Sequence, residues 1–290
     1  MSAAKRLASG ASDAWKQWDA RIANKAFLEY QRLLSRLFAR KKLKLHFSRR
    51  EEWMIPLRAG FESTGHEIAF GEFSHAAIRG CDLAVPLTMD DLKVLAGAGD
   101  LAAGSPIPIP SMECLLLCDN KYLLNQALIE NGFGKFVPRM GGHLPFPFIL
   151  KKKVDEWGKN SRVISDEQTA RRFSDKLADP DYFTQEFLPG RYEYTTHILF
   201  QDRKIVRSLN VEYYFATETP IKGKDVAVCT KVCRCPHLDV FASILLCLGF
   251  EGLCCFNYKL RGRQPFILEI NPRFGGSLSP FFFSFLRHLG

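Results

Sequence analysis

The sequence predicts an α+β protein that folds as one large domain or two coupled ones. The chain has 290 residues, of which 47% are hydrophobic and 24% charged, and these are the proportions of a globular protein with a sizeable core. Its first 50 residues repeat apolar positions with the period of a helix. Its second half contains short apolar stretches separated by turn residues, which indicates strands with a helix among them.

The composition also indicates where the protein works. No run of 18 apolar residues occurs, so a membrane-spanning helix is not expected. The start lacks the pattern of a secretory signal, and nine scattered cysteines are typical of reduced thiols rather than of a disulfide framework. We therefore expect a cytoplasmic protein, with peripheral attachment to a membrane as an alternative.

Residues 1–58 are expected to form one or two basic amphipathic helices. Residues 1–50 contain 13 Lys and Arg against three acids, a net charge of +10, while the other 240 residues carry −1. Trp15, Trp18 and Ile22 have the spacing of one helix face. Three interpretations stay open: a solvated helix packed on the body, a targeting segment, or attachment to an anionic surface or protein partner. The nearly neutral body argues against a specific nucleic-acid site.

Residues 59–110 are expected to form a short α/β domain. Residues 81–87 have the pattern of a buried strand, and residues 90–95 that of the helix after it. Residues 104–110 are rich in Pro and Gly, which is typical of a linker, so we place a domain boundary there.

Residues 111–290 are expected to form the main α+β domain. One helix is predicted over residues 119–130 with Asp119 as its N-cap, and another over residues 165–178 with Ser165 and Gln168 as a capping box. A third helix and seven strands are predicted from periodicity and turn signals. The helix covers residues 238–248, and the strands cover residues 147–151, 183–188, 194–201, 204–211, 226–233, 252–260 and 264–270.

The last predicted strand ends in a group of polar side chains. Glu269 and Asn271 alternate along it and so share one face, while Asn257 lies on the partner strand of the hairpin. Carboxylate and amide oxygens are hard ligands suited to Mg²⁺. Arg273 offers a planar fork of donors to a phosphate or carboxylate, and the glycines at residues 275–276 let the backbone approach an anion. Taken alone, Glu-x-Asn fits a satisfied polar strand end equally well.

Two further stretches have the chemistry of a nucleotide site. Lys151 ends a buried type of strand, and the loop of residues 157–161 that follows contains Gly and Ser, so a point charge and backbone N–H groups are available to phosphates. Glu186 and Glu193 flank a Pro-Gly turn whose backbone could bond an adenine edge. Neither a Walker A loop nor a G-x-G-x-x-G motif occurs, which argues against P-loop and dinucleotide-binding sites.

Four motifs, in this order along the chain, resemble those of the ATP-grasp superfamily, which includes biotin carboxylase, the large chain of carbamoyl phosphate synthetase and D-alanine–D-alanine ligase. They are residues 119–121, 147–151, 186–193 and 269–276. The resemblance implies an ATP-grasp fold of two lobes with the nucleotide between them. The small lobe would cover about residues 136–184 and the large lobe the rest of residues 111–290. Residues 81–95 resemble the end of the domain that usually precedes the fold.

The resemblance also implies which residues bind ATP and the metal. Lys121 and Lys151 would contact the phosphates, and Arg273, with Lys151 a catalytic residue, would stabilise the transferring phosphoryl group or the tetrahedral intermediate. Mg²⁺, with Mn²⁺ as an alternative, would be the metal. The adenine site would consist of Glu186 with the backbone of Phe187 and Leu188, the ribose site of Glu193, and the metal site of Glu269, Asn271 and Asn257.

The function that the resemblance implies is ATP-dependent ligation of a carboxylate to an amine. An acyl phosphate would form first, and ADP and phosphate would be released. The partners would be a small-molecule carboxylate and amine, with a homo-oligomer left open. Two alternatives remain: a kinase-like phosphotransferase, or a degenerate nucleotide-binding module that supports a partner. The loop after Lys151 is poor in glycine where relatives often have Gly and Ser, which favours the module.

Two other segments carry expectations. Cys229, Cys233, Cys235 and His237 form a C-x3-C-x-C-x-H cluster that could bind zinc, although the spacing is atypical and strand cysteines usually pack as small apolar residues. The apolar run of residues 281–286 is expected to be exposed or covered by a partner.

Overall fold

The computed structural model describes residues 3–38, 41–97 and 107–289, with side chains omitted for residues 3–12 and 38. Residues 104–106 of the predicted linker at residues 104–110 thus lie outside the described residues. Across these ranges, no helix combines the length and the apolar character needed to cross a membrane.

Nine α-helices and eleven strands occur in the described residues. The helices are α1 (Ala3–Phe38), α2 (Glu51–Phe61), α3 (His75–Arg79), α4 (Met89–Gly97), α5 (Met112–Asp119), α6 (Lys121–Leu128), α7 (Glu167–Arg172), α8 (Ser174–Ala178) and α9 (Leu238–Cys247). The strands are β1 (Lys44–Ser48), β2 (Glu67–Gly71), β3 (Leu83–Val85), β4 (Phe148–Lys152), β5 (Arg162–Ile164), β6 (Tyr182–Glu186), β7 (Tyr192–Gln201), β8 (Lys204–Tyr214), β9 (Cys229–Cys233), β10 (Gly252–Arg261) and β11 (Gln264–Asn271). A 3₁₀ segment, Gly276–His288, follows β11.

Three sheets organise these elements, and they confirm the α+β prediction. The first is parallel, in the order β2-β1-β3. The second is antiparallel, in the order β5-β4-β6. The third is antiparallel, in the order β11-β10-β7-β8-β9.

The five-stranded sheet is buried on both faces because successive side chains of a strand point to opposite sides. Ile198 and Phe200 of β7 belong to a core cluster shared with α5, α6 and α9. Leu199, between them, belongs to a second cluster shared with β1, α2 and the 3₁₀ segment. The first sheet therefore packs on one face of the large sheet through this second cluster.

The expectation that residues 281–286 are exposed or partner-covered is wrong. All six side chains are buried within the chain itself, and the five apolar ones belong to the cluster that joins the 3₁₀ segment to α2 and β1. Phe282 is fully buried, with its ring centroid 5.8 Å from that of Phe47 and 5.1 Å from that of Phe274. The apolar run therefore packs between the first sheet and the large sheet.

Replacing Phe282 with alanine should lower the free energy of unfolding by about 3–5 kcal/mol, because the change leaves a cavity among packed aromatic rings. Urea denaturation followed by circular dichroism measures this difference. Ile55→Ala, on the exposed side of α2, is the matched control and should change stability by less than about 0.5 kcal/mol. A loss at Phe282 as small as the control's would contradict the packing described.

Several local predictions need correction. Residues 44–48, predicted as helix, form β1, because this short segment pairs on both sides with parallel strands. The predicted boundary at residue 58 falls inside α2. Asp119 ends α5, and Asn120 caps α6 by accepting bonds from the amides of residues 122 and 123. The predicted helix over residues 165–178 is split into α7 and α8, and its N-cap is Asp166.

Candidate active site

A cavity of about 330 Å³ lies between the sheet β5-β4-β6 and the five-stranded sheet. The loops that contain residues 157–161 and 220–223, and residues 273–277 after β11, complete its walls. All the site residues predicted from the sequence line this cavity, so segments far apart along the chain meet there. These residues are Lys121, Lys151, Glu186, Phe187, Leu188, Glu193, Asn257, Glu269, Asn271 and Arg273.

The polar end of β11 is the most tightly connected part of the cavity. Asn257 of β10 stands in register with Glu269, and its Nδ2 donates to Glu269 Oε1 at 2.5 Å. Asn271 Nδ2 donates to the same oxygen at 3.1 Å. The alternation along β11 therefore places Asn271 beside the Glu269 carboxylate, and the register of the hairpin places Asn257 there.

Glu269 is held in its ionised form. Burial by itself would raise the pKa of this carboxyl, but the ammonium of Lys121 and the two amide donors outweigh burial and hold the pKa at about 2. Lys121 Nζ lies 3.5 Å from Glu269 Oε2, and it also donates to the backbone oxygen of Asp155.

Lys151 enters the cavity from β4. Its Nζ donates to Gln185 Oε1 on β6 at 2.8 Å. Burial lowers the pKa of Lys151 to about 8, although Glu269 acts in the opposite direction. The ammonium is therefore only partly compensated, and an incoming anion would stabilise it.

The hinge between β6 and β7 forms the far wall. The carboxylate of Glu186 is turned to Arg261, at 2.6 Å, and to Arg139, at 3.4 Å, so only its backbone is available to a ligand in the cavity. Lys259 Nζ donates to the backbone oxygens of Leu188 and Gly190, both at 2.9 Å, and fixes the shape of the hinge.

Lys222 is a cavity residue that sequence reasoning missed. Its Nζ donates to Asn257 Oδ1 at 2.6 Å and to the hydroxyl of Thr195, and it lies 3.7 Å from Glu193 Oε1. Burial would lower the pKa of Lys222, but Tyr213 and Glu193 raise it. The only sequence signal for this loop was weak, a glycine beside Lys222. Gly223 has φ +95° and lets the loop contact the backbone of Trp157, because a Cβ on residue 223 would lie 2.2 Å from the Trp157 carbonyl oxygen.

His197 is the second missed residue. Its Nε2 lies 2.7 Å from Ser277 Oγ, and its buried Nδ1 has no partner among the described residues. Burial lowers the pKa of His197 to about 3, so the ring is neutral at physiological pH. Gly275 makes room for this ring, since a Cβ there would lie 2.6 Å from His197 Cε1.

Glu156, in the loop after β4, pairs with two arginines beside the cavity, and we call these two ion pairs the latch. One carboxylate oxygen of Glu156 lies 3.1 Å from Arg273 Nη2, and the other lies 3.0 Å from Arg50 Nη2. The Arg50 guanidinium in turn stacks over the rings of Trp53 and Trp157. The predicted anion fork of Arg273 is thus occupied by a carboxylate of the chain itself.

Replacing Glu156 with glutamine should loosen this loop, because two arginines lose their shared carboxylate. We expect trypsin to cleave the loop after Lys153 and Lys159 a few-fold faster. A local opening that becomes easier by about 1 kcal/mol produces a change of this size. Glu167→Gln, which breaks only the surface pair with Arg171, is the control and should leave cleavage of this loop unchanged. Equal rates in all three proteins would refute the latch.

The donor set at the end of β11 fits one Mg²⁺ ion. Glu269 supplies an ionised oxygen, and the amides of Asn257 and Asn271 stand beside it. The Lys222 ammonium already engages the Asn257 oxygen, so the residues present do not fit a second ion equally well. Elsewhere in the described part of the chain, no group of three or more His, Cys, Asp or Glu side chains could hold a metal, including the cysteine cluster around β9.

No family model matches the chain, and no curated protein matches its sequence. Phosphoribosylamine–glycine ligase from Thermotoga maritima superposes with a TM-score of 0.62 at 15% identity, covering 82% of this chain and 70% of the other. L-amino acid ligase from Bacillus licheniformis gives 0.59 at 15% identity, covering 84% and 70%. D-alanine–D-alanine ligase from Bacillus anthracis, complexed with ATP, gives 0.54 at 13% identity, covering 80% and 86%.

Proposed function

The chain has the ATP-grasp fold, and from this premise we propose that it is an ATP-dependent carboxylate–amine ligase. One observation carries the proposal: five basic side chains from separate segments converge on one cavity, and among the described residues that line it two carboxylates face inward. The basic residues are Lys121, Lys151, Lys222, Lys259 and Arg273, and the carboxylates are Glu193 and Glu269. A polyphosphate is the ligand that such an excess of positive charge suits. The structures named above are ligases by name, which supports the reaction class.

In this proposal the nucleotide lies between the two antiparallel sheets. Lys121 and Lys151 bind its phosphates, and Lys222 joins them from the opposite wall. The backbone of the hinge at residues 186–188 binds adenine. Glu193, whose pKa burial raises and Lys222 lowers, accepts the ribose hydroxyls.

Glu269, Asn271 and Asn257 would hold Mg²⁺, or Mn²⁺ in its place. The metal supplies positive charge that offsets the charge of the phosphates. The residues of the chain do the remaining work: they bind the nucleotide, orient the acid and keep water out of the cavity.

The reaction follows from the chemistry of a carboxylate. Its oxygen attacks the γ-phosphorus of ATP, the bond from that phosphorus to the β–γ bridging oxygen breaks, and ADP leaves. The amine then attacks the carbonyl carbon of the acyl phosphate, the carbon–oxygen bond to phosphate breaks, and the amine loses a proton to solvent. Arg273 binds the acid and steadies the oxyanion once Glu156 has left its guanidinium.

A second function is favoured by one observation, the latch. Because Glu156 occupies Arg273, the chain could be a nucleotide-binding module that does not turn over. A thermal-shift titration with Mg-ATP, followed by an ADP-release assay across amino acids, sugar acids and amines, separates the two. ADP release that requires both an acid and an amine supports the ligase. Release with an acid or alcohol alone indicates a phosphotransferase, and binding without any release indicates the module.

The affinity for ATP should fall as pH rises above about 8. The phosphates favour the ammonium form of Lys151, whose pKa in the free protein is about 8, so above that pH binding must take up a proton. The dissociation constant should therefore approach a rise of about tenfold per pH unit there, and Lys151 should add no pH dependence below about pH 7. Titration by fluorescence anisotropy of a labelled ATP analogue measures this. Lys151→Met should reduce the slope by about one, and an unchanged slope would assign it to another group such as Lys259.

A further inference from the structure

Helix α1 is anchored to the body along one face. The Asn24 side chain donates to the Thr230 backbone oxygen at 2.7 Å and accepts from the Val232 amide at 2.8 Å. It therefore satisfies the hydrogen bonds of two backbone groups on the outer edge of β9. Asp19 pairs with Lys231 at 2.6 Å. These contacts set which way the helix faces.

The apolar stripe noted in the sequence lies on the opposite face of α1. Large side chains are exposed there at the spacings of one helix face, over about 33 Å at a rise of about 1.5 Å per residue. Their exposures are 64% for Trp15, 55% for Trp18, 49% for Ile22, 57% for Tyr30, 52% for Leu33 and 66% for Leu37. A solvated helix packed on the body would bury its apolar stripe. In α1 the stripe instead faces away from the body.

The charges on this outward side are mostly positive. Arg21, Lys25 and Arg36 flank the stripe, and the two acids on the same side are both paired, Asp19 with Lys231 at 2.6 Å and Glu29 with Arg32 at 2.8 Å. The sequence of α1, residues 3–38, contains seven Lys and Arg against three acids, a net charge of +4.

The charges, together with the apolar stripe, indicate what kind of partner binds this face of α1. A second copy of the chain would bring two positive helices together. A nucleic acid would match the charges but would leave the tryptophans, isoleucine and leucines uncovered. An anionic bilayer does both, because its phosphates meet the basic flank while the acyl boundary takes up the stripe.

We propose that α1 docks this protein in the plane of an anionic lipid bilayer. The stripe from Trp15 to Leu37 lies at the boundary of headgroups and acyl chains, and Arg21, Lys25 and Arg36 contact the headgroups. The proposal is independent of the reaction assigned to the cavity. The helix would bind a fluid anionic interface and would require no particular lipid species.

Co-sedimentation of the full chain with vesicles tests the proposal. The protein should pellet with vesicles of phosphatidylcholine mixed with phosphatidylserine, stay in solution with phosphatidylcholine alone, and be released by high salt. The double change Trp15→Ser with Trp18→Ser should weaken binding by about tenfold or more, since it removes the aromatic anchors. Both side chains are exposed, so the fold should survive the change.

The matched control is Leu116→Ser with Leu123→Ser, which removes two exposed apolar side chains from α5 and α6, on the other side of the large sheet. This variant should bind as the unchanged protein does. No sedimentation with anionic vesicles, or binding that the tryptophan changes leave intact, overturns the proposal. So does a dimer in analytical ultracentrifugation that the tryptophan changes abolish, or equal binding to polyglutamate or duplex DNA.

Discussion

Replacing Lys151 with alanine is expected to abolish ADP release. This ammonium is buried between two sheets with a pKa of about 8, and it faces Glu269 across the cavity. Negative charge develops on the transferring phosphoryl group, and the Lys151 ammonium offsets that charge. Removal of the ammonium should therefore slow turnover by about 10²–10³-fold or more. A coupled assay of ADP release under saturating acid and amine measures the effect.

Lys152→Ala is the matched control for this experiment. Lys152 is the next residue of β4, and its side chain points to the other face of the strand. It should therefore keep most of the activity. Because Lys151→Ala leaves the buried Gln185 Oε1 without its donor, a thermal melting curve first establishes that the variant is folded under the assay conditions. Normal turnover in Lys151→Ala would overturn the role that we propose for this lysine.

Replacing Glu269 with glutamine should have an effect of similar size on turnover. Glu269 is the single carboxylate at the proposed metal site, and the amides of Asn257 and Asn271 both donate to it. Glutamine keeps the shape but removes the charge, so we expect turnover to fall by about 10³-fold and its dependence on Mg²⁺ concentration to shift to higher concentrations. Initial rates across a Mg²⁺ titration measure both.

The same variant has a readout that is independent of the reaction. The pKa of Glu269 is about 2 in the folded protein and 4.5 in its ordinary state, so the ionised group stabilises the fold above about pH 4.5. That stabilisation is lost as pH falls from about 4.5 towards 2. Glu269→Gln should lose this part of the acid-unfolding curve, whereas Glu130→Gln, an exposed carboxylate on the surface, should not. An acid-unfolding curve unchanged in Glu269→Gln would contradict the pairing with Lys121.

Much of the large sheet and its neighbours could be predicted from the sequence. The strands β4, β6, β7, β8, β10 and β11 and the helix α9 lie within a few residues of their predicted positions. They were predictable because alternation and turn residues are local signals. The Glu-x-Asn geometry was predictable for the same reason, since side chains two apart on a strand share a face whatever surrounds them.

Other features depended on contacts between distant segments. β1 carries no clear signal of its own and is a strand because β2 and β3 flank it. Lys222 lies in a loop with no motif, and only the closure of that loop against Trp157 brings it to Asn257. Glu156 lies in a loop with no motif, and it pairs with Arg50, which lies 106 residues away in the chain.

The sequence by itself determined the element types of the main domain and the chemistry that meets in its cavity, because covalent geometry and periodicity act within a few residues. The tertiary structure alone decided which face of α1 is turned outward, where residues 281–286 are buried and which carboxylate occupies Arg273. Burial and charge pairing are set by the segments that meet in space, and a single sequence does not state which segments those are.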